Sequence, residues 1–314
     1  MHRMKMVNRL DFLKGAACAA GAAALGGCGT SGGVLAPSGR ARKLAINAST
    51  IRGYALPLED QVRAAVAVGC RGYEPWMKDI HEARARGRFA EAVRIARDGG
   101  LEFVNGIAFG RWVDPDAGVR AIGLEETKRD MAALAEMGCP NIAASMFGVH
   151  RPGSPHLSAQ EIADRYGKVC ELGRKMGVRP VLEYWGHSVN MNRLEDALDV
   201  LAKARCEDAA VLADVYHTYR GGGSFETLGC LRAEQLPVLH VNDYLLTKPR
   251  EELVDADRVW PGDGAAPWGR ILATLDDAGL DPWFSTEVFN PDYWKTDARD
   301  TMRTALAKMT ETIG

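Results

Sequence analysis

The sequence has no Cys-x-x-Cys pair. Its seven cysteines, Cys18, Cys28, Cys70, Cys139, Cys170, Cys206 and Cys230, follow no regular spacing. That scatter points away from a zinc knuckle or a disulfide scaffold and leaves most of the thiols to pack as small hydrophobes. Long apolar runs are missing too, since none approaches the ~20 residues that a membrane-spanning helix requires. Nor is there an excess of positive charge: 39 Lys and Arg against 41 Asp and Glu leave a formal net charge of −2 and a pI near 6.4. Such a chain carries no electrostatic footprint for a polyanion, and nucleic acid is not expected as a partner. What is present, 46% apolar and 25% charged residues over 314 positions, suits one large core or two modest ones.

The first residues differ in character from the rest. "MHRMKMVNRLDFLK" is basic, and "GAACAAGAAALGG" is a short, weakly apolar run of small residues, the pattern of an export signal. "NRLDFLK" resembles a twin-arginine motif with Leu10 in place of the second arginine, which leaves the export route open. "LGGC" at 25–28 resembles a lipobox in which Cys28 becomes the lipidated first residue of the mature chain; a mobile, alanine-rich tail is the alternative. "GTSGGVLAPSGRARK" at 29–43 then reads as a flexible Gly, Ser and Pro tether. The expectation is a globular domain over 44–314, exported and touching a membrane only through a lipid anchor.

Beyond residue 43, β-rich runs alternate with amphipathic stretches about every thirty to forty residues. The strand candidates are "KLAIN", "RGYEP", "LEFVNGI", "NIAASM", "RPVLEY", "AAVLAD", "PVLHVN" and "PWFSTEV". Helical segments such as "LEETKRDMAALAEMG" lie between them, several stopped by glycine, as at Gly69, Gly138 and Gly177. Eight βα units over about 270 residues match an α/β protein of (β/α)8 TIM-barrel type, a single domain. A doubly wound open sheet usually brings a Gly-rich phosphate turn after its first strand, and "AINASTIRG" has none.

A barrel gathers the polar residues at its strand ends on one face, where the active site forms. Read in order, those ends are Asn47, Glu74, Asn105, Ser145, Glu183, Asp214, His240 and Glu287. Glu183, Asp214, His240 and Glu287 come from strands five to eight, and carboxylates converging with an imidazole suit a hard or borderline divalent cation. Without a cation, three carboxylates would repel and at least one would be driven to hold its proton. Singly, each such residue is more often a helix cap or a solvated rim group.

The motifs "VLEYWG", "LADVYHTYRGG", "LHVNDY", "DADRVWPGDG" and "STEVFN" resemble, in order and spacing, the xylose-isomerase-like barrels of sugar isomerases and epimerases, across residues 44–314. The closest likeness is to inosose (2-keto-myo-inositol) isomerases and related sugar epimerases. The resemblance implies one divalent metal ion, Mn, Mg, Co or Zn, held by Glu183, Asp214, His240 and Glu287. It assigns substrate contacts to His217 and to an arginine after strand seven, for which Arg258 fits best and Lys248 or Arg250 are alternatives. Together with the expected export, it implies an unphosphorylated keto-sugar or glycoside as small-molecule partner, and a homo-oligomer is a further expectation left open.

Two glutamates in such a site point to proton transfer. A metal-polarised carbonyl acidifies the neighbouring C–H, one carboxylate removes the proton through an enediolate, and the other returns it on the opposite face or at the adjacent carbon. Glu183 and Glu287 are the candidates, each as ligand and acid/base. Asp243 is a candidate partner for the second nitrogen of His240, with a loop cap as its preferred role. Trp185, Glu74 and Asn105 are candidate pocket residues, and Trp76, Phe109, Trp260 and Trp294 are further aromatics near strand ends. "YRGGGS" at 219–224 offers either a phosphate cradle or, preferred, a turn. A keto-sugar lyase or dehydratase using the same site, or a non-catalytic sugar-binding lipoprotein, are the alternatives. The abasic-site endonuclease of the same superfamily needs more histidines: its Asp-Arg-His appears here as Asp257, Arg258 and Val259.

Overall fold

In the computed structural model, which describes residues 41–314, eight short strands form one parallel sheet: β1 Lys43–Asn47, β2 Gly72–Glu74, β3 Glu102–Phe103, β4 Asn141–Ser145, β5 Arg179–Glu183, β6 Ala210–Asp214, β7 Val238–Val241 and β8 Trp283–Thr286. The strands run in the order β3-β2-β1-β8-β7-β6-β5-β4, each adjacent pair parallel. The remaining edge closes just past β3, where Gly106 N–H donates to Asn141 O (3.0 Å) and Ala143 N–H to Gly106 O (2.9 Å). A Cβ at Gly106 would stand 2.6 Å from the Leu134 side chain, so the closing seam needs glycine there. The result is the (β/α)8 barrel expected from the repeat.

The helices lie outside the sheet: α1 Leu58–Ala67, α2 Met77–Ala85, α3 Phe89–Asp98, α4 Ala117–Met137, α5 Ala159–Met176, α6 Leu194–Lys203, α7 Val215–Gly221, α8 Trp268–Asp277 and α9 Ala298–Ile313. Gly69, Gly138 and Gly177 take φ of +76°, +75° and +71° just beyond α1, α4 and α5, the left-handed stop predicted for them. Ser158 and Glu161 close a capping box at the start of α5. Among the described residues no helix is long and apolar enough to cross a membrane. The candidate signal, the lipobox Cys28 and the tether up to residue 40 lie outside the described residues.

Strand periodicity decides what points into the barrel. Ala45, Val181, Ala210, Leu212 and Val238 form an apolar plug inside it, while the alternate residues Ile46, Leu182, Val211 and Leu239 pack outward under the helices. Two residues above the plug, the same inward rows carry Asn47, Glu183, Asp214 and His240. The apolar floor and the polar top are therefore successive positions on one strand face.

Candidate active site

His240 stands at the centre of the polar layer, in register with Asp214 on β6 and fully buried. Its Nε2 lies 3.1 and 3.2 Å from the two oxygens of Glu74 on β2. Glu74 is held in turn by the Asn105 amide, which donates to it at 2.8 Å. Nδ1 faces the other way, 3.3 Å from Glu287 Oε2 and 3.7 Å from Asp214 Oδ2, aligned for a hydrogen bond with neither. Among the described residues, Asp214, His240 and Glu287 are the group whose ligand atoms all lie within 4.8 Å of one another. A buried imidazole nitrogen with no aligned hydrogen bond, turned toward two carboxylates while its other nitrogen is held by a third, fits a divalent metal ion.

Glu183 belongs to the same pocket but lies outside that tight group: it pairs in register with Leu212, and Asp214 lies two residues further along β6. Burial, with the Glu287 charge nearby, pushes its carboxyl up to about 8. For Glu287, burial acts in the same direction, but His240 and Arg258 outweigh it and hold the carboxyl down at about 2. Ser49 Oγ donates to Glu287 Oε1 at 3.3 Å and accepts the Trp76 indole N–H at 2.9 Å. Burial also raises Asp214, against the pull of Arg258 and His240. His240 is raised well above an ordinary imidazole: burial opposes its charge, yet Glu74 and Glu287 dominate.

Arg258 is buried rather than on the surface, 1% exposed. Its Nη1 donates to Asp214 Oδ2 (3.0 Å) and Glu287 Oε2 (2.9 Å), and its Nη2 to Asp255 Oδ1 (2.8 Å). The guanidinium lies between the rings of Tyr216 (4.5 Å) and Phe289 (5.1 Å). The alternatives sit elsewhere, Lys248 paired with Asp257 and Arg250 with Glu251. Arg258 Nη2 also reaches His217 Nε2 at 3.2 Å. Since guanidinium only donates, that nitrogen must accept, so His217 carries its proton on Nδ1, which is buried and has no hydrogen-bond partner in the protein. Burial and the Arg258 charge keep His217 neutral, far below an ordinary imidazole.

The "HVND" at the end of β7 divides into three tasks. His240 faces the pocket. Asn242 accepts from Tyr216 N–H and donates to Asp214 Oδ2 and to Glu287 O, tying three strand ends together. Asp243 does not touch His240, whose partner is Glu74. It accepts instead from the N–H groups of Tyr244, Gly262 and Ala266 and from the Trp268 indole, at 2.8–3.0 Å, as the loop cap preferred for it.

Around the mouth runs a collar of rings that sequence reading found only in part. Trp76, Phe109 and Trp185 belong to it, with Phe109 5.1 Å from Trp76 and 6.4 Å from Trp185. Phe147, His150 and His187 were missed: Trp185 stacks on His187 at 5.6 Å and meets His150 edge-on at 4.9 Å. They fall a few residues beyond β4 and β5, where strand periodicity no longer says which way a side chain points. Trp260 and Trp294 pack in the loops instead, the first stacked on Tyr293 and the second donating to Thr50 O. "YRGGGS" ends α7 in a turn with Gly222 at φ +73°. Beside Trp76 a groove of about 310 Å³ opens between the loops after β1 and β2, lined by Arg52, Gln61, Lys78 and Asp79.

A family model described as a xylose isomerase-like TIM barrel matches residues 62–311. The chain belongs to this family. An inosose isomerase of Bacillus licheniformis is 30% identical over 147 residues, 46% of this chain and 52% of the isomerase. The chain thus spans about half the length of that relative. A 3-dehydroshikimate dehydratase of Pseudomonas aeruginosa is 24% identical over 260 residues, 79% of this chain and 39% of the dehydratase. Among solved structures, the IolI protein with a bound zinc atom superposes with a TM-score of 0.79 at 20% identity, covering 86% of this chain and 98% of that one. At that identity the likeness is one of fold.

Proposed function

We propose that this xylose isomerase-like barrel is a divalent-metal-dependent isomerase or epimerase of an unphosphorylated keto-sugar or keto-polyol. The observation that carries the reading is the convergence of Asp214, His240 and Glu287, whose ligand atoms lie within 4.8 Å of one another with Nδ1 of His240 turned toward both carboxylates while Glu74 holds Nε2. Asp214, His240 and Glu287 would hold the ion, with Glu183 closing on it as fourth ligand; such a donor set suits Mn, Mg, Co or Zn. When bound, the ion supplies Lewis-acid polarisation of a substrate carbonyl and neighbouring hydroxyl, which acidifies the C–H between them.

The protein's own groups do the rest. Glu183, at the end of β5 in the same pocket, takes or returns the proton at carbon. Glu287 stands across from it, because β5 and β8 flank the central pair β6 and β7. Return by the second carboxylate at the same carbon inverts it, and return at the adjacent carbon moves the carbonyl. His217 Nδ1–H is the free donor for a substrate hydroxyl, and Arg258 stabilises negative charge developing on oxygen. Trp185 and its neighbours in the collar face the C–H surface of the ring, while Glu74 and Asn105 act from below by fixing His240.

The finer substrate assignment is an inosose-like compound or a 3-keto-glycoside met outside the cytoplasm by a chain anchored at Cys28. It is supported by the export-like N-terminal sequence. A dehydratase reading draws on the Pseudomonas relative: the same proton removal followed by loss of a β-hydroxyl.

Proton NMR of the purified protein in deuterated water, with Mn, Mg or Zn added and inososes, ketohexoses and 3-keto-glucosides as substrates, tests the reading. Deuterium entering beside the carbonyl, and lost in Glu183→Gln and Glu287→Gln, is the expected result, and the product separates isomerase, epimerase and dehydratase. Sugar binding without exchange, metal being bound, would make the protein a sugar-binding module. Failure to bind metal would overturn the site.

A further inference from the structure

The short 3-10 turn Ala48–Tyr54, directly after β1, reaches the end of β8 and closes around Glu287. Thr50 takes the backbone. Its hydroxyl donates to Thr286 O at 2.8 Å and accepts the Val288 N–H at 3.3 Å, one residue to either side of Glu287. Ser49, fully buried, takes the side chain, donating to Glu287 Oε1 at 3.3 Å. Asn47 starts the turn by accepting the Ser49 N–H at 2.9 Å. Two adjacent residues of one turn thus hold both the chain path at the strand end and the carboxylate that projects from it.

The direction of the Ser49 hydroxyl is set from the pocket mouth. Its oxygen lies 2.9 Å from the Trp76 indole nitrogen. Indole only donates, so the hydroxyl accepts from Trp76 and its own proton is left for Glu287. Trp76 is itself held on several sides. Beside it, Met77 N–H donates to Ile107 O and Ile107 N–H to Pro75 O, both at 2.9 Å. Phe109 meets its ring edge-on, and Arg52, from the same turn as Ser49, lies 4.5 Å over its face. The other oxygen of Glu287, Oε2, has separate partners: Arg258 Nη1 at 2.9 Å and His240 Nδ1 at 3.3 Å.

We propose that Ser49 and Trp76 are positioning residues for Glu287. The relay from indole to hydroxyl to Oε1 fixes the rotation of the carboxylate and, resting on the metal-site reading, presents Oε2 to the ion held with Asp214 and His240. A carboxylate free to rotate must be ordered when the ion arrives, whereas one tied at Oε1 already has its ligand oxygen aimed. Partners that orient a metal ligand in this way are typically worth about 10–100-fold in affinity. Trp76 then serves twice, with its ring as part of the collar and its N–H as the start of the relay.

Proton–nitrogen correlation NMR of the full-length, metal-free protein reads the relay directly. Each of the seven tryptophans gives one indole N–H signal, and that of Trp76 is the one lost in Trp76→Phe. In Ser49→Ala it should move upfield and exchange faster with solvent. In Glu287→Gln it should also move, while the Trp268 indole, which donates to Asp243, stays in place. A Trp76 signal indifferent to both substitutions overturns the relay, whether or not the protein binds metal. Zinc affinity, measured by competition with a chromogenic chelator, reads what the relay does. Ser49→Ala should lower it about 10-fold. Trp76→Phe should lower it less, because Ser49 can still donate, and the double variant should bind no more weakly than Ser49→Ala. Parental affinity in Ser49→Ala, or losses that add in the double variant, overturn the positioning role. A parent protein that binds no metal overturns the metal-site reading and the presentation of Oε2 with it, and the indole signals alone then decide the relay.

Discussion

At the residue scale, His240 is the group on which the centre turns, because each of its nitrogens has a separate task. Glu74 holds Nε2 and so leaves Nδ1 for the proposed ion. Glu74→Gln keeps an acceptor there but removes its charge, and metal affinity should fall about 10-fold or more, read by competition with a chromogenic chelator. Glu183 makes a prediction about pH. Between the ordinary carboxyl value of 4.5 and its folded value of about 8, the metal-free folded chain keeps a proton that the unfolded chain has released. Its contribution to stability is therefore full below 4.5 and declines as pH rises through that window. Denaturant midpoints at about pH 5 and about pH 8 should fall less steeply in Glu183→Gln, which has no proton to hold, than in the parent.

At the element scale, the loop between β7 and α8 delivers Arg258 to the pocket, and Asp243 anchors that loop through four donors. Asp243→Asn would turn an amide N–H toward donors already pointing inward, leaving buried groups unpaired. The expected cost is about 3 kcal/mol, seen as a lower melting temperature, together with weaker turnover because Arg258 loses its seat. The strands and the helix stops were legible in the sequence because they depend on local pattern, period-two alternation and glycine at positive φ. Asp243 was legible as a cap for the same reason. The partner of His240 was not: Glu74 lies 166 residues away in sequence and reaches the ring only across the closed barrel.

At the scale of the whole molecule, the proposed ligands come from β6, β7 and the end of β8, so metal binding, if they hold the ion, is linked to barrel stability. Metal at 100-fold its Kd should stabilise the fold by about 2.7 kcal/mol, seen as a rise in melting temperature that a chelator reverses. The metal-free centre also holds a proton on His240, kept there by Glu74 and Glu287. Ligation through Nδ1 must release that proton, so affinity should increase with pH. Calorimetric titrations in buffers of different ionisation enthalpy measure the proton count directly.

The sequence alone determined the repeat and the candidates Glu183, Asp214, His240 and Glu287 at four successive strand ends, since both follow from the local pattern of strands and helices. Tertiary structure decided which of them converge tightly, that Arg258 lies buried across Asp214 and Glu287, that Glu74 rather than Asp243 orients His240, and that Phe147, His150 and His187 join the collar. Those outcomes depend on barrel closure and on loop paths, which bring together residues whose separation in sequence carries no periodic signal.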